Sequence, residues 1–294
     1  MQKVNFYDEI KRNKVLSWFL LIFSVVFTAL FIWVISIAFG LDAYIMLIIA
    51  IVIAFLTSYL SYINSDKIAI AMAKAFPADD VKYRHLNNMV EGLAIASGIP
   101  KPKVYIMPSP EINAFATGKD PKHAVVCVTK GALEQLTDSE LEGVLAHELS
   151  HIKHYDIRYV TIATVVVGLV SILSQILLRS LWFRGSDDRN GNAIFLIIGI
   201  ALAIISPIIL RLVYFAISRK REFMADAGSV EITRNPKGLI SALRKIEQFY
   251  KLNKKTLVSK STAPMYISDP YAIMAKAFST HPPLEERIKK LEQM

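Results

Sequence analysis

The sequence predicts a mainly α-helical membrane protein, with four transmembrane helices and an α+β domain that contains a small antiparallel sheet. The 294-residue chain is 53% hydrophobic and its mean hydropathy is +0.39, which is too apolar for an ordinary soluble domain. Four uncharged segments are long enough to cross a bilayer. β-Branched runs between Pro and Gly residues lie in the middle of the chain. Together these observations favour membrane helices combined with a folded domain outside the bilayer.

The predicted spans form two pairs. Residues 15–40 and 43–65 carry no charged side chain, and each segment is longer than the roughly 20 residues that a transmembrane helix needs. Residues 159–178 and 193–210 form a second uncharged pair. These two segments are shorter, but they are within the usual range of about 17–25 residues. For the second pair, a hairpin that enters the bilayer only partway is the alternative.

The basic residues indicate how the chain crosses the membrane. The net charge is +9, but Lys and Arg flank the predicted spans, so we expect no nucleic-acid partner. The connection at Leu41 and Asp42 lacks Lys and Arg, whereas residues 3–14 and 67–84 are rich in them. The positive-inside rule therefore places both termini and the folded domain on the cytoplasmic side of the cell membrane. Arg184, in the loop between the later spans, does not fit this rule, and only the even number of crossings places that loop outside.

Two helices are predicted after the second span. Residues 66–76 have helical spacing and end before Pro77, which cannot continue a helix. Residues 82–97 predict an amphipathic helix that ends at Gly98, a residue type common just after helix ends. Neither helix carries an obvious functional motif.

Three extended segments follow these helices. Residues 103–107, 112–116 and 124–129 are apolar runs with turn residues between them, including a turn at 118–121. We expect them to form the antiparallel sheet. Cys127, the single cysteine, lies in the last of these segments, so the chain has no internal disulfide and fits a reducing compartment.

The helix that follows the sheet carries the chemistry. Thr137 and Glu140 have the spacing of a capping box, which predicts a helix that starts near Asp138. His147 and His151 lie four positions apart on this helix, so both imidazoles point the same way and can bind one metal ion. The alternative is a plain amphipathic helix with histidines on its solvent face.

Glu148 completes a His-Glu-x-x-His motif. On the helix its carboxylate points too far from the two histidines to share their metal-binding face fully. It can instead take a proton from the water that attacks the substrate. The motif in the middle of a capped helix is the zincin arrangement, which indicates a metal-dependent hydrolase.

The third ligand is expected from Glu222, which follows the second pair of spans. That pair of spans returns the chain to the membrane face from which it started, so we expect Glu222 and His151 to lie at a similar distance from the membrane. Asp226 lies four positions after Glu222 and can orient a ligand histidine through its free ring nitrogen. A solvated charged helix face is the alternative for this pair. Residues 239–250 predict a further amphipathic helix, and residues 251–269 a loop.

With these motifs and spans in hand, the chain resembles the HtpX family of integral-membrane zinc metalloproteases, which is related to the type I CAAX prenyl proteases. The resemblance implies one Zn²⁺ per chain, held by His147, His151 and Glu222, in a cytoplasmic gluzincin-like metalloprotease domain. It implies Glu148 as the general base and Asp226 as the residue that orients a ligand.

The same resemblance implies two further parts of the site. One is a substrate-binding edge strand formed by Asn113, Ala114, Phe115 and Ala116. The other is His281 with Arg287 near the C-terminus, one of which steadies the oxyanion. The family picture also implies disposal of damaged or misfolded membrane proteins, a stress-response role in quality control.

The expected domain organisation follows the spans. Residues 1–65 form the N-terminal tail and two transmembrane helices, and residues 66–158 the first part of the metalloprotease domain. Residues 159–217 form the second pair of spans with their outside loop, and residues 218–294 the second part of the domain. The lipid bilayer and polypeptides, especially membrane proteins, are the expected partners, and the oligomeric state stays open.

Two other functions compete with the endopeptidase. A non-enzymatic membrane chaperone or scaffold with a structural zinc would need a fourth protein ligand, for which His154 and His281 are the candidates. A transporter would carry ionisable residues through its spans, but only Arg211, near the inner end of the last span, approaches this pattern. The sequence therefore favours the enzyme.

Overall fold

The computed structural model describes the chain from residue 42 to 158 and several later parts. The later parts are residues 160–162, 219–253, 256, 265–268 and 282–294. Before residue 42 it describes helical positions at 11, 15, 18, 19, 21–23, 25–30, 32 and 33. Most of the predicted third and fourth spans, together with His281, lies outside the described residues.

Helices make up most of the described chain. Their bounds are α1 Ala43–Ile63, α2 Ser65–Met72, α3 Arg84–Ser97, α4 Lys130–Gln135, α5 Asp138–Lys153, α6 Arg219–Thr233, α7 Pro236–Asn253 and α8 Leu284–Leu291. The strands are β1 Phe76–Pro77, β2 Lys103–Met107, β3 Ala114–Gly118 and β4 Ala124–Thr129. The order is thus a helical start, a small sheet, and then the helices that form the core.

Helix α1 covers most of the predicted second span, residues 43–65, so this segment is helical as expected. Asp42 caps it, because its side chain accepts hydrogen bonds from the backbone N–H groups of Tyr44 and Ile45. Apolar side chains cover much of its surface, and Ile48 is 66% exposed and Phe55 59% exposed. Within the described residues, no helix combines the length and apolarity of a membrane span. The four predicted spans stay a prediction.

The sheet is mixed, with strand order β1-β2-β4-β3. The predicted antiparallel pairing is correct for β3 with β4, where Ala114 faces Val128 and Gly118 faces Ala124. It is wrong for β2 and β4, which are parallel. The reason is that β3 does not fold back directly on β2. The β3–β4 hairpin instead brings β4 between them, and every residue of β4 is buried, as expected for a central strand.

The core surrounds α5. Helices α6 and α7 pack on one part of α5, and β3 and β4 pack on another. The apolar stripe of α5 supplies Leu145, Leu149 and Ile152, each of which is 0% exposed. Burying such a side chain contributes about 1.5–3 kcal/mol to folding, so the helix that carries the histidines is anchored in the core.

A second, smaller apolar cluster lies on the other side of the sheet. It joins α2 to the sheet and to the segment 265–268 through Ala69, Met107, Phe115, Cys127 and Tyr266. The Phe115 and Tyr266 rings meet edge to face, with centroids 5.1 Å apart. This cluster fixes the segment 265–268 next to strand β3.

Candidate metal centre

The capping box predicted for α5 is present. The Thr137 backbone N–H donates to Glu140 Oε2 at 2.8 Å, and the Glu140 backbone N–H donates to the Thr137 hydroxyl at 3.5 Å. Glu140 also accepts hydrogen bonds from Ser241 at 2.6 Å and from Lys245 at 2.7 Å. These contacts tie the first turn of α5 to α7, so the start of the helix and the direction of its histidines are fixed.

Three side chains meet at one point. His147 Nε2 and His151 Nε2 lie 3.2 Å apart. The Glu222 carboxylate, from α6, lies 3.7 Å from His147 Nε2 and 3.6 Å from His151 Nε2. One ligand atom from each residue falls within 4.8 Å of the others. The structure therefore brings together the three residues that the sequence predicts as metal ligands.

The hydrogen bonds of the two rings explain why a cation fits here. His147 Nδ1 faces Asp226 at 3.0 Å, and His151 Nδ1 faces Asp156 at 2.9 Å. A carboxylate that accepts a hydrogen bond from Nδ1–H leaves a free lone pair on Nε2. The Nε2 lone pairs of both rings and the Glu222 carboxylate then converge on one point. A positive ion accounts for this arrangement, and two histidines with one carboxylate form a donor set of catalytic zinc.

Glu148 is also buried at this site, with 2% exposure. The backbone N–H of Ala116, in the edge strand β3, lies near its carboxylate and acts to lower its pKa. Burial raises the pKa of Glu148 to about 8, while the charge of His151 opposes this rise. Glu148 thus lies between the sheet and the metal ligands, where a general base would stand.

A cleft of about 420 Å³ opens over these residues. Glu148, His151 and Glu222 belong to its lining. The remaining lining includes Ala116, Asp156, Ile157, Val160, Arg221, Met265, Tyr266 and Ile267. The candidate catalytic groups are therefore at the wall of a mostly apolar cleft.

Arg287 supports the metal ligands from within the protein. It is 0% exposed, and its Nε and Nη2 donate to the two oxygens of Asp226 at 2.9 and 2.6 Å. Its Nη1 donates to the Ile267 carbonyl at 2.8 Å and lies 3.8 Å from Glu222. Its Nη2 also lies 3.4 Å from both ring nitrogens of His147. These contacts hold Arg287 against two of the metal ligands, and its predicted contact with an oxyanion stays a prediction.

The predicted edge strand is only partly open. The Asn113 side chain donates to the Tyr250 hydroxyl at 2.9 Å, and the Ala114 carbonyl accepts from the Ile267 N–H at 3.0 Å. Phe115 pairs with Tyr266 in an antiparallel bridge. The chain itself thus covers the first three of the four residues, and Ala116 is the one that lines the cleft.

Asp156 is a site residue that the sequence reasoning missed. It is bonded to His151 and is 7% exposed. Asp156 lies five positions after His151, whereas neighbours on one helix face are three or four positions apart. The helical pattern therefore does not indicate this contact. The available signal was a carboxylate just beyond the end of the motif helix.

His154, a candidate fourth ligand of a structural zinc, faces away from the group. Its Nδ1 lies 3.3 Å from the Ser150 hydroxyl, and burial lowers the pKa of its ring. Among the described residues, the metal-binding group consists of His147, His151 and Glu222. Three protein ligands are the number that catalytic zinc sites use.

The third ligand distinguishes this centre from zinc sites in which another histidine follows the motif. A glutamate from a separate helix defines a gluzincin-like zinc metallopeptidase. The chain belongs to peptidase family M48, whose family model matches residues 80–294. It is a zinc-dependent metalloendopeptidase, and its substrates are polypeptides.

Individual relatives agree with this assignment. The chain is 45% identical to the Protease HtpX homolog of Thermoanaerobacter pseudethanolicus over 285 residues, which cover 94% of this chain and 93% of that protein. It is 44% identical to the Protease HtpX homolog of Dictyoglomus turgidum over 296 residues, which cover 100% and 96%. The resemblance to the HtpX family is confirmed.

A solved structure resembles the fold. The crystal structure of S. mikatae Ste24p matches with a TM-score of 0.52 at 20% identity. The match covers 96% of this chain and 66% of that chain. At this identity the likeness concerns the fold alone.

Proposed function

We propose that the protein is a membrane-embedded zinc endopeptidase that cleaves damaged or misfolded membrane proteins, with His147, His151 and Glu222 as the ligands. The observation that carries this proposal is the position of Glu148, buried at the cleft between the metal-binding group and the Ala116 N–H. A purely structural metal would not need a buried carboxylate at the cleft beside its ligands.

Different residues of the chain have different roles in hydrolysis. Bound zinc supplies a positive charge that polarises the scissile carbonyl and makes the attacking water more acidic. Glu148 takes a proton from this water and later gives it to the leaving amine. Asp226 and Arg287 keep His147 oriented. Either Arg287 or His281, which lies outside the described residues, is expected to stabilise the oxyanion.

The substrate backbone is expected to lie along β3. An extended peptide can add to a sheet edge through main-chain hydrogen bonds, which requires no particular sequence. The segment 265–268 occupies this edge at Ala114 and Phe115. The open part of the edge therefore starts at Ala116, next to Glu148.

The membrane arrangement is part of the proposal. Residues 1–65 and 159–217 form two pairs of spans in the cell membrane, and residues 66–158 and 218–294 form one cytoplasmic domain. The uncharged segments, the basic flanks and the exposed apolar surface of α1 support this arrangement. A site held at the membrane surface suits membrane-protein substrates and a role in quality control under stress.

The general-base assignment is tested by Glu148→Gln. We expect this variant to keep one zinc per chain and to lose cleavage of casein in detergent by about 10²–10⁴-fold, because proton transfer is lost while the ligands stay. Glu222→Ala is expected to lose the metal. Zinc content and cleavage rate are measured on the same preparations, before and after a chelator.

Glu142→Gln is the matched control, because Glu142 lies on the same helix but is exposed. It should cleave casein at the wild-type rate. Full proteolysis by the Glu148→Gln protein would reject the assignment. A wild-type protein that holds zinc but cleaves nothing would favour the chaperone or scaffold.

A further inference from the structure

We propose that Asp156 is a positioning residue for zinc, which fixes His151 as Asp226 fixes His147, and that Arg221 holds Asp156 in place. The inference rests on the zinc-peptidase function proposed above and extends it to two residues that no motif identified. Asp156 Oδ2 lies 2.9 Å from His151 Nδ1. A carboxylate on this nitrogen fixes the tautomer that leaves Nε2 free for the metal.

A break in the helix brings Asp156 to His151. In a continuous helix, a residue five positions later would point about 140° away from His151 and could not reach its ring. Helix α5 ends at Lys153, and Tyr155 adopts a left-handed φ of 62°. A non-glycine residue rarely takes this conformation. Such backbone outliers concentrate at functional sites, and this one turns the chain so that Asp156 lies back against His151.

Arg221 provides the matching charge. It is 3% exposed, and its Nη1 lies 3.7 Å from Asp156 Oδ1. It directly precedes the ligand Glu222 on α6. One helix therefore places a ligand and the partner of the carboxylate that orients another ligand.

The two histidines have parallel surroundings. His147 Nδ1 meets Asp226, which is paired with buried Arg287. His151 Nδ1 meets Asp156, which lies beside buried Arg221. Each ligand is thus backed by a carboxylate and an arginine, which reduces the freedom of both rings before the metal binds.

The test is zinc affinity of the full-length protein in detergent, measured by competition with a chelator. Asp156→Asn should bind zinc about 10–100-fold more weakly than wild type, as expected when the partner of a ligand histidine is lost. The cobalt-loaded variant should also show a shifted visible spectrum, because the His151 ring is no longer fixed. Circular dichroism of the zinc-free protein checks the fold.

Asp120→Asn is the matched control. Asp120 lies 2.8 Å from His123 Nδ1, an Asp–His pair of the same geometry that is not part of the metal-binding group. This variant should keep the wild-type zinc affinity and cobalt spectrum. Asp156→Glu is the second variant, for use if Asp156→Asn does not fold, because it keeps a negative charge beside Arg221. It should also weaken zinc binding.

Wild-type zinc affinity and an unchanged cobalt spectrum in both Asp156 variants would overturn the inference. An equal loss in Asp120→Asn would do the same, because the effect would then not belong to His151. Neither result touches the general-base proposal, which depends on cleavage by a zinc-loaded Glu148→Gln protein. The two proposals therefore fail separately.

Discussion

At the scale of single residues, the centre depends on buried charges that hold each other. Burial alone would raise the pKa of Asp226, but Arg287 and His147 hold this pKa below its ordinary value. Asp226 and Arg287 are 1% and 0% exposed. Such a pair adds little net stability, but removal of one partner leaves the other charge buried and unpaired.

The first prediction concerns this pair. Asp226→Asn should lower the free energy of unfolding of the zinc-free protein by about 3–5 kcal/mol, because the guanidinium of Arg287 loses its compensating charge. Denaturant titration measures this. Glu292→Gln is the control, since Glu292 pairs with Arg244 at 2.7 Å on the surface. There we expect a loss of at most about 1 kcal/mol. Equal losses would mean that burial is not the cause.

At the scale of elements, α5 is held against its neighbours by close backbone contact. A Cβ on Gly143 would lie 2.6 Å from the backbone nitrogen of Leu239 in α7. The Gly143 carbonyl accepts a hydrogen bond from Ser229 of α6 at 2.8 Å. One glycine, a turn before His147, thus lets both neighbouring helices approach the motif helix.

Gly143→Ala should destabilise the protein by about 1–3 kcal/mol, because the added methyl group pushes α5 and α7 apart. Gly92→Ala is the control on α3, where a Cβ would meet nothing within 4 Å. That change should stabilise the protein by up to about 1 kcal/mol, since alanine is the better helix former. Thermal unfolding of both variants compares them. A stable Gly143→Ala protein would contradict the close contact.

At the scale of the whole molecule, the metal centre joins parts of the chain that are distant in sequence. His147 and His151 lie in α5, whereas Glu222 lies in α6, beyond residues 163–218. Packing of α6 on α5 brings the glutamate to the histidines. The predicted second pair of spans lies between these two helices in the sequence.

The topology prediction is tested by Ser186→Cys, in the predicted outside loop. We expect a membrane-impermeant thiol reagent to label this variant in intact cells. The natural Cys127 should stay unlabelled, because it is 1% exposed and burial raises the pKa of its thiol. Lys122→Cys, exposed on the predicted cytoplasmic domain, should react only after lysis. Labelling of position 186 only after lysis would instead support a hairpin that does not cross.

The sequence by itself determined the motif helix and its two histidine ligands. The capping box and the four-residue spacing depend on local geometry, which a helix fixes within a few residues. Asp226 lies one turn from Glu222, so local geometry also places these two carboxylates on one face of a helix.

Only the tertiary structure decided which residues support the ligands from a distance. Asp156 reaches His151 through a left-handed turn, Arg287 pairs with Asp226 across 61 positions, and β4 lies between β2 and β3. The segment 265–268 covers most of the predicted edge strand. The left-handed turn interrupts the helical spacing, and the other contacts come from packing between distant segments, so no local spacing rule encodes them.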